Sequence, residues 1–282
     1  MPDWRPLIVR RGDGFPKVMG VLNVTPDSFF EDSRVYNIAE TINAADDMVG
    51  NGADWLDVGG ESTRPGAESV TEVEEISRVI PVIKELRKRF PKIGISVDTR
   101  RAKVAELSLE EGADMINDVS ALGDKDMLSV IKQSNCYVCL MHMKGLPANM
   151  QNNPQYDDVI MEVKDMLTKK VRLLLDNGIS PDRIIVDPGI GFGKSLDHNL
   201  TLLKSGREII PMKDVSLMWG VSRKSMFSDL LGRSDPKQRL SGTLGIAAMS
   251  KAKAVDIIRV HDVREHVDLF RTMAAMEDFD VN

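Results

Sequence analysis

Asp98 closes the run "ISVD", Asn117 follows "MI" and Asp187 follows "IIV", so three polar side chains stand where apolar runs stop. Two carboxylates and an amide brought together can accept hydrogen bonds from N–H groups, and they are too few and too mixed for a divalent-metal cage. They suit a flat heterocycle with a donor edge, such as a 2-amino-pyrimidinone. Lys224, within "GVSRKSM", can donate to an acceptor on the opposite edge. In "IIRVHDV", Arg259 and His261 flank Val260, which on a strand sets the two cationic side chains on one face as a grip for an anion. No Ser-His-Asp or Cys-His arrangement suggests covalent catalysis.

The stretch "DPGIGFGKS" (187–195) has the composition of a phosphate-cradling loop. A P-loop would need glycine where Pro188 stands, and a dinucleotide fingerprint would need glycine where Lys194 stands. Each pattern fails by one residue. Cys136 and Cys139 form a C-x-x-C pair, yet they lie in the apolar run "CYVCLMHM". A redox pair normally opens a helix, and residues three apart on a strand face opposite ways, so both are expected in the core.

Eight short apolar runs must position these groups: 18–24, 55–58, 93–97, 115–117, 137–141, 184–186, 215–219 and 257–260. They lack clean alternation, as parallel strands covered on both faces do. Helical patterns lie between them. In 70–90 the expected stripe is Val73, Ile76, Ile80, Ile83 and Phe90; in 157–178 it is Val159, Val163, Leu167, Val171 and Leu174, with Gly178 as the cap. Eight strand–helix units without a linker predict an α/β chain folded as a single-domain (β/α)8 TIM barrel over residues 1–282, its core about 18–276. A doubly wound open sheet is the alternative, because alternation alone does not close a sheet. In a barrel all the polar strand ends open on one face: Asn23, Asp57, Glu61, Asp98, Asn117, His142, Asp187, Ser222 with Lys224, and His261. A net charge of −6 argues against nucleic acid as partner, and no apolar run approaches a membrane span. The N-terminal stretch carries no signal core, so a cytoplasmic location is expected.

The motifs occur together and in order: "VMGVLNVTPDSF", "GGESTRPGA", "SVDT", "IND", "MHMKGLPANMQ", "DPGIGFGK", "GVSRKSM" and "IIRVHDV". The chain resembles the dihydropteroate synthases of folate biosynthesis from about Val18 to His266. The resemblance implies transfer of the pterin of 6-hydroxymethyl-7,8-dihydropterin diphosphate to p-aminobenzoate, with release of diphosphate. It implies that Asp98, Asn117, Asp187 and Lys224 hold the pterin, Asp98 and Lys224 being closest to the chemistry, with Phe192 and Met141 lining the pocket. Asn23 would ligate Mg²⁺ on the diphosphate. Thr63, Arg259, Val260 and His261 would line the phosphoryl side or the rim, while Thr63, Arg64, Pro65 and Ser225 would shape the p-aminobenzoate side. The family is commonly homodimeric and is the target of sulfonamides. One departure is the glycine-free Phe30–Arg34, where the family often has a Ser-Asp-Gly-Gly type sequence in the loop that closes over the substrates.

Two other readings share parts of this set. A pterin-binding methyltransferase barrel would use methyltetrahydrofolate and a corrinoid partner, but "GESTRPGA" and "SRKS" favour the synthase. A non-catalytic pterin binder would have less need of Lys224, Arg259 and His261.

Overall fold

The computed structural model describes residues 6–24, 33–61, 69–145, 150–151, 153–210 and 212–279, residues 33–37 through their backbone alone. Thr63, Arg64, Pro65 and Phe30–Asp32 lie outside the described residues.

Eight parallel strands close into a barrel in sequence order. They are β1 (Lys17–Asn23), β2 (Trp55–Gly59), β3 (Gly94–Asp98), β4 (Met115–Asp118), β5 (Tyr137–Met141), β6 (Ile184–Asp187), β7 (Ser216–Trp219) and β8 (Ile257–Val260). The closing pair is β1 with β8, Met19 lying beside Arg259, which rules out the open sheet. Around them run α1 (Ser33–Gly50), α2 (Glu72–Arg89), α3 (Ala102–Glu110), α4 (Met127–Gln133), α5 (Val159–Asp176), α6 (Leu196–Ser205), α7 (Met226–Leu231), α8 (Leu240–Ala247) and α9 (Val263–Glu277). No described helix is long and apolar enough to cross a membrane.

The strands read as unbroken apolar runs because both faces are covered, and the alternation is hidden in side-chain size and polarity. Outward residues such as Val58, Val97, Ile116, Leu140, Val186 and Val260 pack in the layer beneath the helices. Inward residues fill the barrel: Met19, Trp55, Met115, Tyr137, Cys139, Ile185, Met218 and Ile257, with Ile8 from the N-terminal segment among them. Trp55 and Tyr137 meet edge to face at 5.8 Å. The Trp55 indole donates to the Leu7 carbonyl at 3.2 Å, and the Tyr137 hydroxyl to the Pro6 carbonyl at 2.9 Å, tying the N-terminal segment to these barrel residues. Gly94 is required beside this pair, since a Cβ there would lie 2.3 Å from the Trp55 ring.

Both cysteines are free and buried. Cys136 packs in the outer layer and Cys139 in the barrel interior, on opposite faces as strand geometry demands. On α5 the expected stripe is buried in full. On α2 the expected stripe is rotated: Val73 is exposed, Ile76, Ile80 and Phe90 are half-buried, and the buried face is Glu75, Val79, Val82, Ile83 and Leu86. The inward face is the apolar row Val79, Val82, Ile83 and Leu86, and Glu75 is carried in with it, paired with Arg101.

Candidate active site

On β2, β4, β6 and β8 the inward positions change from apolar to polar toward the C-terminal end, and on β3 both are polar. Trp55 is followed by Asp57, Ser96 by Asp98, Met115 by Asn117, Ile185 by Asp187 and Ile257 by Arg259, each two residues further on. Period-two alternation therefore gathers these side chains in the barrel mouth, where the active sites of this fold lie. In register, Asp98 lies beside both Gly59 and Asn117. Two glycines leave the carboxylates room: a Cβ on Gly59 would stand 3.6 Å from that of Asp98, and one on Gly220 only 3.3 Å from Asp187 Oδ2.

Arg259 crosses the mouth. Its Nε donates to Asp57 Oδ2 at 2.6 Å and its Nη2 to Asp98 Oδ2 at 2.8 Å. The sequence suggested an anion grip formed with His261, but two of the guanidinium's three nitrogens are engaged by carboxylates. His261 is tied instead to Ser222, whose hydroxyl accepts from its backbone N–H at 3.1 Å and faces its Nδ1 at 2.9 Å. The Val260 side chain is fully buried and faces outward, as its position between two inward-side residues requires.

Asp57 was recognised as a strand-end carboxylate but not as part of the ligand set. It is fully buried, and its Oδ2 also accepts from Asn117 Nδ2 at 3.3 Å. One carboxylate thus orients a site amide and a site guanidinium, and with Nδ2 spent on Asp57, Asn117 keeps its carbonyl oxygen as an acceptor. The signal lay in an aspartate inside the apolar run "WLDVG", on the inward parity.

Asp98 is 8 % exposed. Burial raises its pKa, Arg259 opposes that, Asp57 and Glu75 add repulsion, and it settles at about 7. Its folded pKa therefore lies above the unfolded one. The stability this confers is present in acid and lost as pH rises through about 7, whereas a ligand N–H needs the ionised form. Affinity for a pterin is accordingly expected to fall up to about tenfold per pH unit below 7, and Asp98→Asn should flatten that slope. Calorimetric titration between about pH 5.5 and 8.5 checks it; a flat wild-type profile would contradict the assignment. Burial also raises the Asp187 pKa, against which the Gly189 N–H, at 2.7 Å from Oδ1, and the charges of Lys224 and Lys194 hold it down.

Lys224 lies with its Nζ 3.9 Å from the centre of the Phe192 ring. The preceding Arg223 has a φ of +55° and pairs with Asp262, linking the segments after β7 and β8. Phe192 packs with Met141, Val119 and Met150 in a small apolar cluster separate from the main core. Ser225, exposed, precedes α7 as its N-cap. Asn23, exposed at the end of β1, has its Oδ1 4.0 Å from where a Gly59 Cβ would stand, so it borders Gly59 together with Asp98. His142 turns its Nδ1 to the buried Lys194 at 3.0 Å, and burial with that lysine pushes its pKa down to about 3.

Glu61 accepts from Arg100 Nε at 3.1 Å and from Arg101 at 3.2 Å, and its other oxygen from the Val70 N–H at 3.3 Å. Arg101 also donates to the Val70 carbonyl and to the buried Glu75. These bonds join the described ends of the segment that contains Thr63, Arg64 and Pro65. Arg100, Arg101 and Glu75 carry no such signal in sequence, because only the fold brings them to the end of β2.

The profile of the pterin binding enzyme family matches residues 19–261, which span the barrel from β1 to just past β8. Within it, the chain belongs to the dihydropteroate synthase family. The dihydropteroate synthase of Escherichia coli is 42% identical over 260 residues, 92% of this chain and 91% of its own. Among solved structures, the Yersinia pestis dihydropteroate synthase in a sulfonamide drug complex superposes with a TM-score of 0.87 at 39% identity, covering 95% of this chain and 97% of that one. The Xanthomonas albilineans enzyme with 4-aminobenzoic acid gives 0.86 at 37%, covering 94% of each.

Proposed function

We propose that this barrel carries out its family's condensation, joining 6-hydroxymethyl-7,8-dihydropterin diphosphate to p-aminobenzoate to give 7,8-dihydropteroate and diphosphate. The observation that supports it most is the gathering of Asp98, Asn117, Asp187 and Lys224 at neighbouring strand ends with Arg259 across them. The carboxylates and the Asn117 carbonyl would accept from the pterin N–H groups, Lys224 would donate to its acceptor edge, and Phe192 with Met141 would supply an apolar wall. The bond between the pterin methylene and the bridging oxygen breaks, and its electron pair leaves with diphosphate. The aniline lone pair forms the new C–N bond, and its proton passes to diphosphate or solvent. No side-chain nucleophile takes part. Charge forming on the leaving oxygen would be met by the remaining nitrogen of Arg259, or by more of it if pterin displaces Asp98, and by His261 at the rim. Positive charge forming on the pterin would be supported by Asp98. Thr63, Arg64, Pro65 and Ser225 are proposed for the p-aminobenzoate side.

Mg²⁺ fits the donor set. No group of three or more carboxylate, histidine or cysteine residues that could hold a metal occurs among the described residues. Mg²⁺ characteristically keeps several waters and takes few protein ligands together with substrate phosphates. The amide oxygen of Asn23, exposed at the end of β1, would be one such ligand. When bound, the ion would neutralise charge on the diphosphate. A homodimer in the cytoplasm is proposed from the family alone.

Purified protein given both substrates should form dihydropteroate and release diphosphate in equal amounts. Rigorous chelation should abolish turnover and Mg²⁺ restore it, and a sulfonamide should compete with p-aminobenzoate. Pterin binding without product would leave a binding module only; undiminished turnover after chelation would remove the metal role.

A further inference from the structure

Lys194 is the lysine that makes "DPGIGFGKS" resemble a phosphate loop, yet it is only 3 % exposed and faces inward. Its Nζ lies 3.0 Å from His142 Nδ1, 3.0 Å from the Gly189 carbonyl and 3.0 Å from the Phe192 carbonyl, with the His142 carbonyl at 3.4 Å. Three close acceptors match the three hydrogens of an ammonium. All four described partners are uncharged. A charge buried among neutral groups is costly and calls for a structural reason.

That reason is the shape of the segment after β6. Gly189, Gly191 and Gly193 all have positive φ, at 68°, 81° and 63°. A Cβ on Gly189 would lie 1.8 Å from the His142 carbonyl oxygen, and one on Gly193 2.2 Å from that of Lys144. The segment is therefore pressed against the chain leaving β5, in a conformation that side chains resist. Lys194 draws the same two stretches together. Both ends of its grip reach the site: the Gly189 N–H donates to Asp187 Oδ1 at 2.7 Å, and the Phe192 ring carries Lys224 at 3.9 Å.

We propose that Lys194 is a positioning residue for the pterin, its sealed ammonium setting the segment 188–193 so that Asp187 and the Phe192–Lys224 pair face the ligand together. It rests on the pterin reading above. The charge has a second effect, since Lys194 helps to hold the buried Asp187 ionised. Burial in turn draws the Lys194 pKa down to about 7, with Asp187 opposing the shift.

The test is steady-state kinetics with Mg²⁺, varying each substrate, on the wild type, Lys194→Met and Lys194→Gln, together with thermal unfolding. Both side chains are one bond shorter than lysine; methionine removes every donor and glutamine keeps one. Because buried carbonyls lose their partners, KM for the pterin diphosphate should rise about twentyfold or more in Lys194→Met and about fivefold in Lys194→Gln. KM for p-aminobenzoate should change by less than about threefold, since that side is built from other elements. If Lys194→Met does not fold, Lys194→Gln alone decides. Wild-type pterin KM in a folded variant would overturn the proposal, and so would a parallel rise of both KM values tracking the loss of thermal stability. A wild-type chain that turns over no pterin diphosphate would overturn the underlying reading, and the proposal with it.

Discussion

Arg259→Ala is expected to lower kcat/KM by about three orders of magnitude and to cost about 3 kcal/mol of stability as well. The two effects have one origin. Arg259 neutralises Asp57, which is fully buried, and Asp98, which is nearly so. Removing one partner of a buried ion pair leaves the other charge uncompensated, and here two carboxylates are left. Asp57 also loses the group that shares its Oδ2 with Asn117, so the amide's orientation is released with it. Charge on the departing diphosphate then lacks its strongest donor from β8. Arg259→Lys should recover part of the stability but little of the rate, because an ammonium cannot bridge two carboxylates in the fork geometry of Nε and Nη2. Activity within tenfold of wild type and an unchanged unfolding midpoint in Arg259→Ala would contradict this assignment.

Asp187→Ala should weaken pterin binding by at least about tenfold to a hundredfold, from the roughly 1–3 kcal/mol that an unpartnered buried donor costs. More is lost than one acceptor. The Gly189 N–H loses its acceptor, and Lys194 and Lys224 lose a nearby negative charge. Asp187→Asn, with nearly the same shape, should retain the fold but still weaken the pterin, because its NH₂ opposes a ring N–H. Calorimetry against 6-hydroxymethylpterin checks both variants, and near-native affinity in a folded Asp187→Ala would mean that the pterin lies elsewhere.

Much of this arrangement is legible in the residues. The eight strands match their apolar runs to within a residue or two, because buried parallel strands and their polar ends are punctuated in sequence. Asp98, Asn117 and Asp187 stand out because each ends such a run on the inward parity. What sequence did not show is pairing at a distance. Asp57 and Arg259 are 202 residues apart, and only closure of the barrel makes Arg259 a counter-ion as well as an anion donor. Glu75 likewise reads as solvent-facing until Arg101 is placed beside it. The Val260 side chain turns away from the mouth between Arg259 and His261, since a strand sends alternate residues to opposite faces. Spacing already denied Lys194 a P-loop, but motif spacing says nothing of which way a side chain turns, so its buried grip on three carbonyls and His142 was not legible.

The central claim is that the barrel mouth reads a pterin through Asp98, Asn117 and Asp187 on one edge and Lys224 on the other. The most direct measurement is a crystal structure of the protein with 6-hydroxymethylpterin bound. The account predicts the ring in the mouth, its N–H groups within about 3 Å of Asp98 and Asp187 oxygens and of the Asn117 carbonyl, and Lys224 on its acceptor edge. A ring bound outside this set, or bound there with its donor edge turned away from both carboxylates, would contradict it.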